Sequence, residues 1–271
     1  MTEIPALPAA TSPSPGFLGM VWGVLAKPRT TFATLRNGNG RAWILMAVLG
    51  MILVTLPTIA SAPVNARQAE QTREQLQEEL QNQPGFEAGG VDVEQATTFA
   101  TSPILTTVLP AIFAAIGRIF SWLLWSGALY LLASMVGGRS GFVQMLQVVI
   151  WAWLPYALRS ILQAIYITIT QTSINNQGLS GFANMPTVDP STPFAVELPS
   201  TGTAVLYAFL GQIDIYLFWY LALLVLGITA VTKLSRRKSI GLVLIVWVVF
   251  MAVRLIGTAV TTSLSSGLVG G

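Results

Sequence analysis

Of 271 residues, 53% are hydrophobic and only 9% are charged, with a net charge of +3 and a mean hydropathy of +0.66. Soluble chains carry about 25% charged residues, so this composition excludes a soluble domain, a disordered chain and a nucleic-acid binder. Apolar runs of about 20 residues instead point to a polytopic helical membrane protein. The chain has no histidine and no cysteine. Imidazole proton transfer, serine–histidine triads, disulfides and thiolate metal sites are therefore absent.

In chain order, residues 1–16 hold four prolines and read as a flexible inner tail. In 17–36, Phe17, Met20, Val21, Val24 and Leu25 recur at helical spacing, and Lys27, Arg29 and Arg36 follow. The apolar part is too short for a hydrocarbon core about 30 Å thick. The stretch predicts an interfacial amphipathic helix on the inner surface, not a signal peptide.

A five-span membrane domain is predicted over 42–260, with spans at 42–62, 104–136, 142–170, 204–231 and 240–260. The polar segment 63–102 is an outer loop; its NARQAEQTREQLQEELQ run lacks proline and glycine and predicts a short exposed helix. The second span has Pro110 near its outer end, and its length predicts a tilt. GGRSG at 137–141 is a tight turn, and Pro155 and Arg159 interrupt the third span. A second outer loop, 172–203, carries four prolines, and KLSRRKS at 233–239 is a basic turn before the fifth span. No internal repeat is visible, which speaks against an inverted-repeat transporter.

Basic residues set the orientation. Nine cations fall in segments on the N-terminal side: Lys27, Arg29, Arg36, Arg41, Arg139, Lys233, Arg236, Arg237 and Lys238. The two outer loops hold only Arg67 and Arg73, beside nine acidic residues. The expectation is a cell-membrane protein with its N-terminus cytoplasmic and its C-terminus outside.

Four charges lie within predicted spans: Arg118, Arg159, Asp214 and Arg254. Intramembrane charges are functional candidates by default because burying them is costly. At ~1.5 Å per residue they fall at comparable heights, roughly 21–27 Å from the inner face, and predict one polar layer. Gln144, Gln147, Gln163 and Gln212 add hydrogen-bonding capacity. One reading pairs Asp214 with Arg159 or Arg254 to join helices, while Arg118 snorkels outward. A second makes the layer a ligand site, since three arginines against one aspartate leave room for an anionic lipid headgroup. A third is a substrate or proton pathway.

At the inner face, Lys233, Arg236, Arg237 and Lys238 predict attraction to anionic lipids, about 1 kcal/mol per cation, or a docking loop for a partner. Trp22 and Trp43 suit an inner interfacial belt. Intramembrane aspartyl proteolysis needs two carboxylates and only Asp214 lies in a span; no GxxxxGK[ST] phosphate loop occurs. No enzymatic activity, cofactor or metal is expected.

Three segments carry a family resemblance: PRTTF at 28–32 before the first span, GGRSGFVQMLQVVIWAWLPY at 137–156, and DIYLFWYLALLVLGITAVTKLSRRKSIGLVLIVW at 214–247. Together they resemble the Yip-one family, five-pass membrane proteins whose founding members interact with Rab-type GTPases. The short N-terminal tail points to a prokaryotic-type member. The resemblance implies an all-α polytopic bundle and a non-enzymatic scaffold or accessory subunit in membrane organisation or trafficking. The alternative is a small-solute or lipid transporter built around the Arg/Asp layer. Expected partners are the lipid bilayer, a membrane protein or a second copy of the chain, and no nucleic acid.

Overall fold

The computed structural model describes residues 16–35, 41–82, 102–183 and 199–269. Among them there are helices and connecting turns but no strand. The helices are α1 (Phe17–Ala26), α2 (Pro28–Leu35), α3 (Ala42–Ala60), α4 (Ala62–Asn82) and α5 (Leu109–Met135). They continue with α6 (Phe142–Ala152), α7 (Leu154–Thr170), α8 (Thr201–Leu210), α9 (Ile215–Thr232) and α10 (Arg236–Val269). Five apolar segments are long enough to cross a membrane: Ala42–Gln71, Ile104–Met135, Phe142–Thr170, Ile215–Thr232 and Arg236–Ser265. The fold is the all-α, five-span bundle that hydropathy predicts.

Helix α6 is its axis. Met145, Val148, Val149, Ile150, Trp151 and Ala152 are all buried, so nearly every side of this helix meets protein. Helices α2, α5 and α9 pack around it, and α3 closes the far side against α5 and α7. Helices α3 and α5 turn Ile, Leu, Val and Phe side chains outward, as a hydrocarbon solvent permits. Two buried hydroxyls fold back onto their own helices. Ser126 donates to the Trp122 carbonyl at 2.6 Å, and Thr232 to that of Ile228 at 2.7 Å. This leaves no hydroxyl proton of theirs in hydrocarbon.

Gly227 allows α9 to approach α6 closely. A Cβ there would lie 2.4 Å from Cγ1 of Val148 and 3.3 Å from the Phe32 ring. Phe32, fully buried, fills the space beside it.

The structure corrects several predicted boundaries. Segment 17–36 is two helices, not one, because the residue before a proline is pushed out of the helical region. Lys27 accordingly sits at φ −138°, ψ 57°, and Pro28 opens α2. The resulting hairpin is not merely laid on a surface. Met20, Val24, Phe32 and Leu35 join the core, and the Phe17 ring lies 5.9 Å from that of Trp151. Trp22, by contrast, points outward. The predicted tail, apart from Gly16, and Arg36 lie outside the described residues.

The first span runs almost directly into α4. The predicted exposed helix is therefore continuous with the membrane segment, not an isolated element in a loop. Pro110 occupies the first turn of α5, where its missing N–H is harmless. Pro155 likewise opens α7 and only bends the third span at Trp153. The predicted fourth span, 204–231, is not one helix. It is α8 and α9 separated by a break at 211–214, and only α9 is a spanning helix. The second outer loop consequently ends at Ser200, which caps α8 by accepting from the Thr203 N–H. The fifth span begins at Arg236 and not at 240, so the basic turn is shorter than predicted.

Candidate functional site

The polar layer forms where α9 begins. Asp214 has an extended backbone, φ −147° and ψ 175°, and is the N-cap of α9: its Oδ1 accepts from the Leu217 N–H at 2.7 Å. Its other oxygen, Oδ2, lies 2.6 Å from Nη1 of Arg159 on α7. Both carboxylate oxygens are thus engaged, one by the first turn of α9 and one by a guanidinium. Arg159 is bifunctional too, since its Nη2 donates to Oε1 of Gln177 at 2.8 Å. These side chains are only 15% and 11% exposed, so the pair is shielded as well as close.

The segment after α7 is folded onto the break. The Leu179 N–H donates to the Leu210 carbonyl at 3.0 Å, and the Tyr207 hydroxyl donates to the Asn175 carbonyl. Gly178 makes this approach possible: its φ is +57°, and a Cβ would stand 2.6 Å from the Ile213 carbonyl oxygen. Only glycine takes that backbone shape at no steric cost. Arg159 therefore ties together α7, the 171–183 segment and the start of α9.

The other two arginines behave differently. Arg118 on α5 places its guanidinium carbon 4.7 Å over the Trp153 ring, a cation–π contact. Its Nε is buried without a hydrogen-bond partner. Arg254 projects from α10. Neither has a carboxylate partner among the described residues. All three arginines line one cavity of about 780 Å³, together with Tyr156, Tyr220, Gln163, Gln177 and Gln212. The cavity lies beside the start of the 18-residue α9, at the opposite end of that helix from the basic turn.

The predicted residues Arg118, Arg159, Asp214 and Arg254 are thus brought together, and the pairing falls on Arg159. Arg118 does not snorkel; it is held against Trp153. Of the four glutamines, Gln163 and Gln212 reach the cavity, whereas Gln144 caps the start of α6 and Gln147 is buried in the core. Sequence reasoning missed Tyr156, Tyr220 and Gln177, which carry no charge to mark them.

The four basic residues lie at the other end of the bundle. Lys233 ends α9 in the left-handed conformation at φ 61°, and Arg236, Arg237 and Lys238 form the first turn of α10. The Lys238 ammonium donates to the Val136 carbonyl at 3.4 Å, where the end of α5 leaves carbonyls without helical partners. No group of three or more histidine, cysteine or carboxylate side chains placed to hold a metal occurs among the described residues.

These features define a five-span membrane protein with a helix-capping ion pair at one end and a basic turn at the other. The chain belongs to the Yip1 domain family, whose model matches residues 22–256. No curated protein and no solved structure matches it.

Proposed function

We propose that this Yip1 domain protein is a non-enzymatic scaffold or accessory subunit of the cell membrane, with its N-terminus in the cytoplasm. The state of Asp214 carries the reading. It directly precedes the spanning segment Ile215–Thr232 as its N-cap, and both its oxygens serve the architecture, one capping α9 and one holding Arg159. A carboxylate so committed joins helices. The orientation rests on the nine-to-two distribution of cations.

The test is purification of the full chain from native membranes in a mild detergent, with reciprocal tagging of whatever co-purifies. A membrane-protein partner recovered in fixed ratio from both directions supports the scaffold. A chain that purifies alone and drives solute flux across proteoliposomes overturns it in favour of a transporter.

A further inference from the structure

Two cavities meet at the start of α9. The polar one holds the three arginines; the second, about 430 Å³, is an apolar groove between α9 and α10 lined by Leu221, Ala222, Val225 and Leu244. Leu217 and Trp247 line both. The groove runs from Ile213 in the break along α9 to Leu226, roughly 20 Å at the helical rise, the length scale of a lipid acyl chain.

Charge identifies what the polar cavity lacks. Three guanidiniums face it and the one nearby carboxylate is paired to Arg159, leaving the charges of Arg118 and Arg254 uncompensated. Guanidinium groups bind phosphate in a two-pronged geometry that a lone cation cannot match. The Nε of Arg118 is buried without a hydrogen-bond partner, and such a shielded charge is costly unless a counter-charge arrives.

We propose that the cavity binds the phosphate of an anionic glycerophospholipid from the leaflet opposite the basic turn, with one acyl chain in the α9–α10 groove. Arg118 and Arg254 are the phosphate-binding residues, because Arg159 is committed to Asp214. The shared wall at Leu217 and Trp247 is the reason the occupant is a lipid and not a free phosphate: the polar and apolar parts are continuous. Arg236 is the one cation lining the far end of the same groove; it is exposed and belongs to the basic turn, whose contribution the variants below separate from that of the cavity. The lipid is a bound component of the fold, and the inference stands apart from the scaffold reading.

The experiment uses the full chain, delipidated in detergent and titrated by native mass spectrometry with phosphatidylglycerol or phosphatidylcholine. Phosphatidylglycerol is expected to bind about tenfold more tightly than phosphatidylcholine. Arg118→Gln with Arg254→Gln should abolish that preference, whereas Arg236→Gln should leave it intact. Ala222→Trp, which fills the groove, should weaken binding of both lipids. If the double variant fails to fold, Arg254→Gln alone decides, because Arg254 is exposed and makes no ion pair among the described residues. Three results overturn the proposal: an unchanged preference in the arginine variants, a preference lost only in Arg236→Gln, or displacement of phosphatidylglycerol by millimolar inorganic phosphate. The last would mark a soluble-anion site.

Discussion

Asp214 carries two separable roles, and substitutions can divide them. Asparagine caps a helix about as well as aspartate, but it cannot form the ion pair. Asp214→Asn should therefore lose the Arg159 contact and keep the cap, destabilising by about 2 kcal/mol, the range for hydrogen bonds to charged groups. Asp214→Ala loses both and should be worse by about 1 kcal/mol, the usual worth of an N-cap. Arg159→Gln added to Asp214→Asn should change little, because the pair is already broken. Arg254→Gln added to Asp214→Asn should be independent of it. Thermal unfolding of these variants, and of Arg159→Gln and Arg254→Gln alone, in one detergent measures the coupling. Full additivity of Arg159→Gln with Asp214→Asn would show that the 2.6 Å contact contributes nothing. The charges of this layer were legible in the sequence, since a charge in an apolar run stands out. Which arginine pairs with Asp214 was not, because that depends on α9 packing beside α7, and nothing in either segment encodes the neighbour.

At the level of elements, local chemistry and hydropathy compete, and the boundaries depend on which prevails. The run 204–231 reads as one span because one charge in 28 apolar-rich positions barely lowers its mean hydropathy. Gly211 and an aspartate ahead of an apolar helix nonetheless spell a break and a restart, and the backbone follows that local signal. The Lys27–Pro28 pair acts likewise in the N-terminal hairpin. That hairpin is held by what it buries. Phe32 has no exposed surface and packs at the Gly227–Val148 crossing, so Phe32→Ala should cost about 3 kcal/mol or more through the cavity it leaves. Gly227→Leu should be at least as damaging, since Val148 leaves no room for a Cβ. Exposed Leu18 on the same hairpin should tolerate alanine. Melting temperatures in detergent would rank the three. Equal losses at Leu18 and Phe32 would mean that the hairpin is held by lipid and not by the core.

Taken whole, the molecule is polarised along its axis. Lys233, Arg236, Arg237 and Lys238 gather with Arg139 at one end, while the Arg159–Asp214 clamp and the arginine cavity lie at the other. Cations in the first turn of α10 oppose the helix dipole, so local helix stability does not account for their placement; the proposed orientation does, because it keeps them on the cytoplasmic side. Composition and hydropathy sufficed for five crossings because the bilayer sets a minimum length of apolar helix for every span. The cavity was invisible in the sequence, since it is assembled from α3, α5, α7, α9 and α10, helices far apart along the chain. The orientation can be tested cleanly because the chain has no cysteine of its own. Ser235 in the basic turn and Thr172 after α7 are both exposed, so a single cysteine at either position is reachable by a membrane-impermeant thiol reagent. With the basic end in the cytoplasm, intact cells should label Thr172→Cys and spare Ser235→Cys until the membrane is opened. The two positions close opposite ends of spanning segments, so they cannot both label from one side in a correctly inserted bundle. Labelling of Ser235→Cys alone in intact cells would invert the topology, placing the arginine cavity and its proposed lipid in the cytoplasmic leaflet.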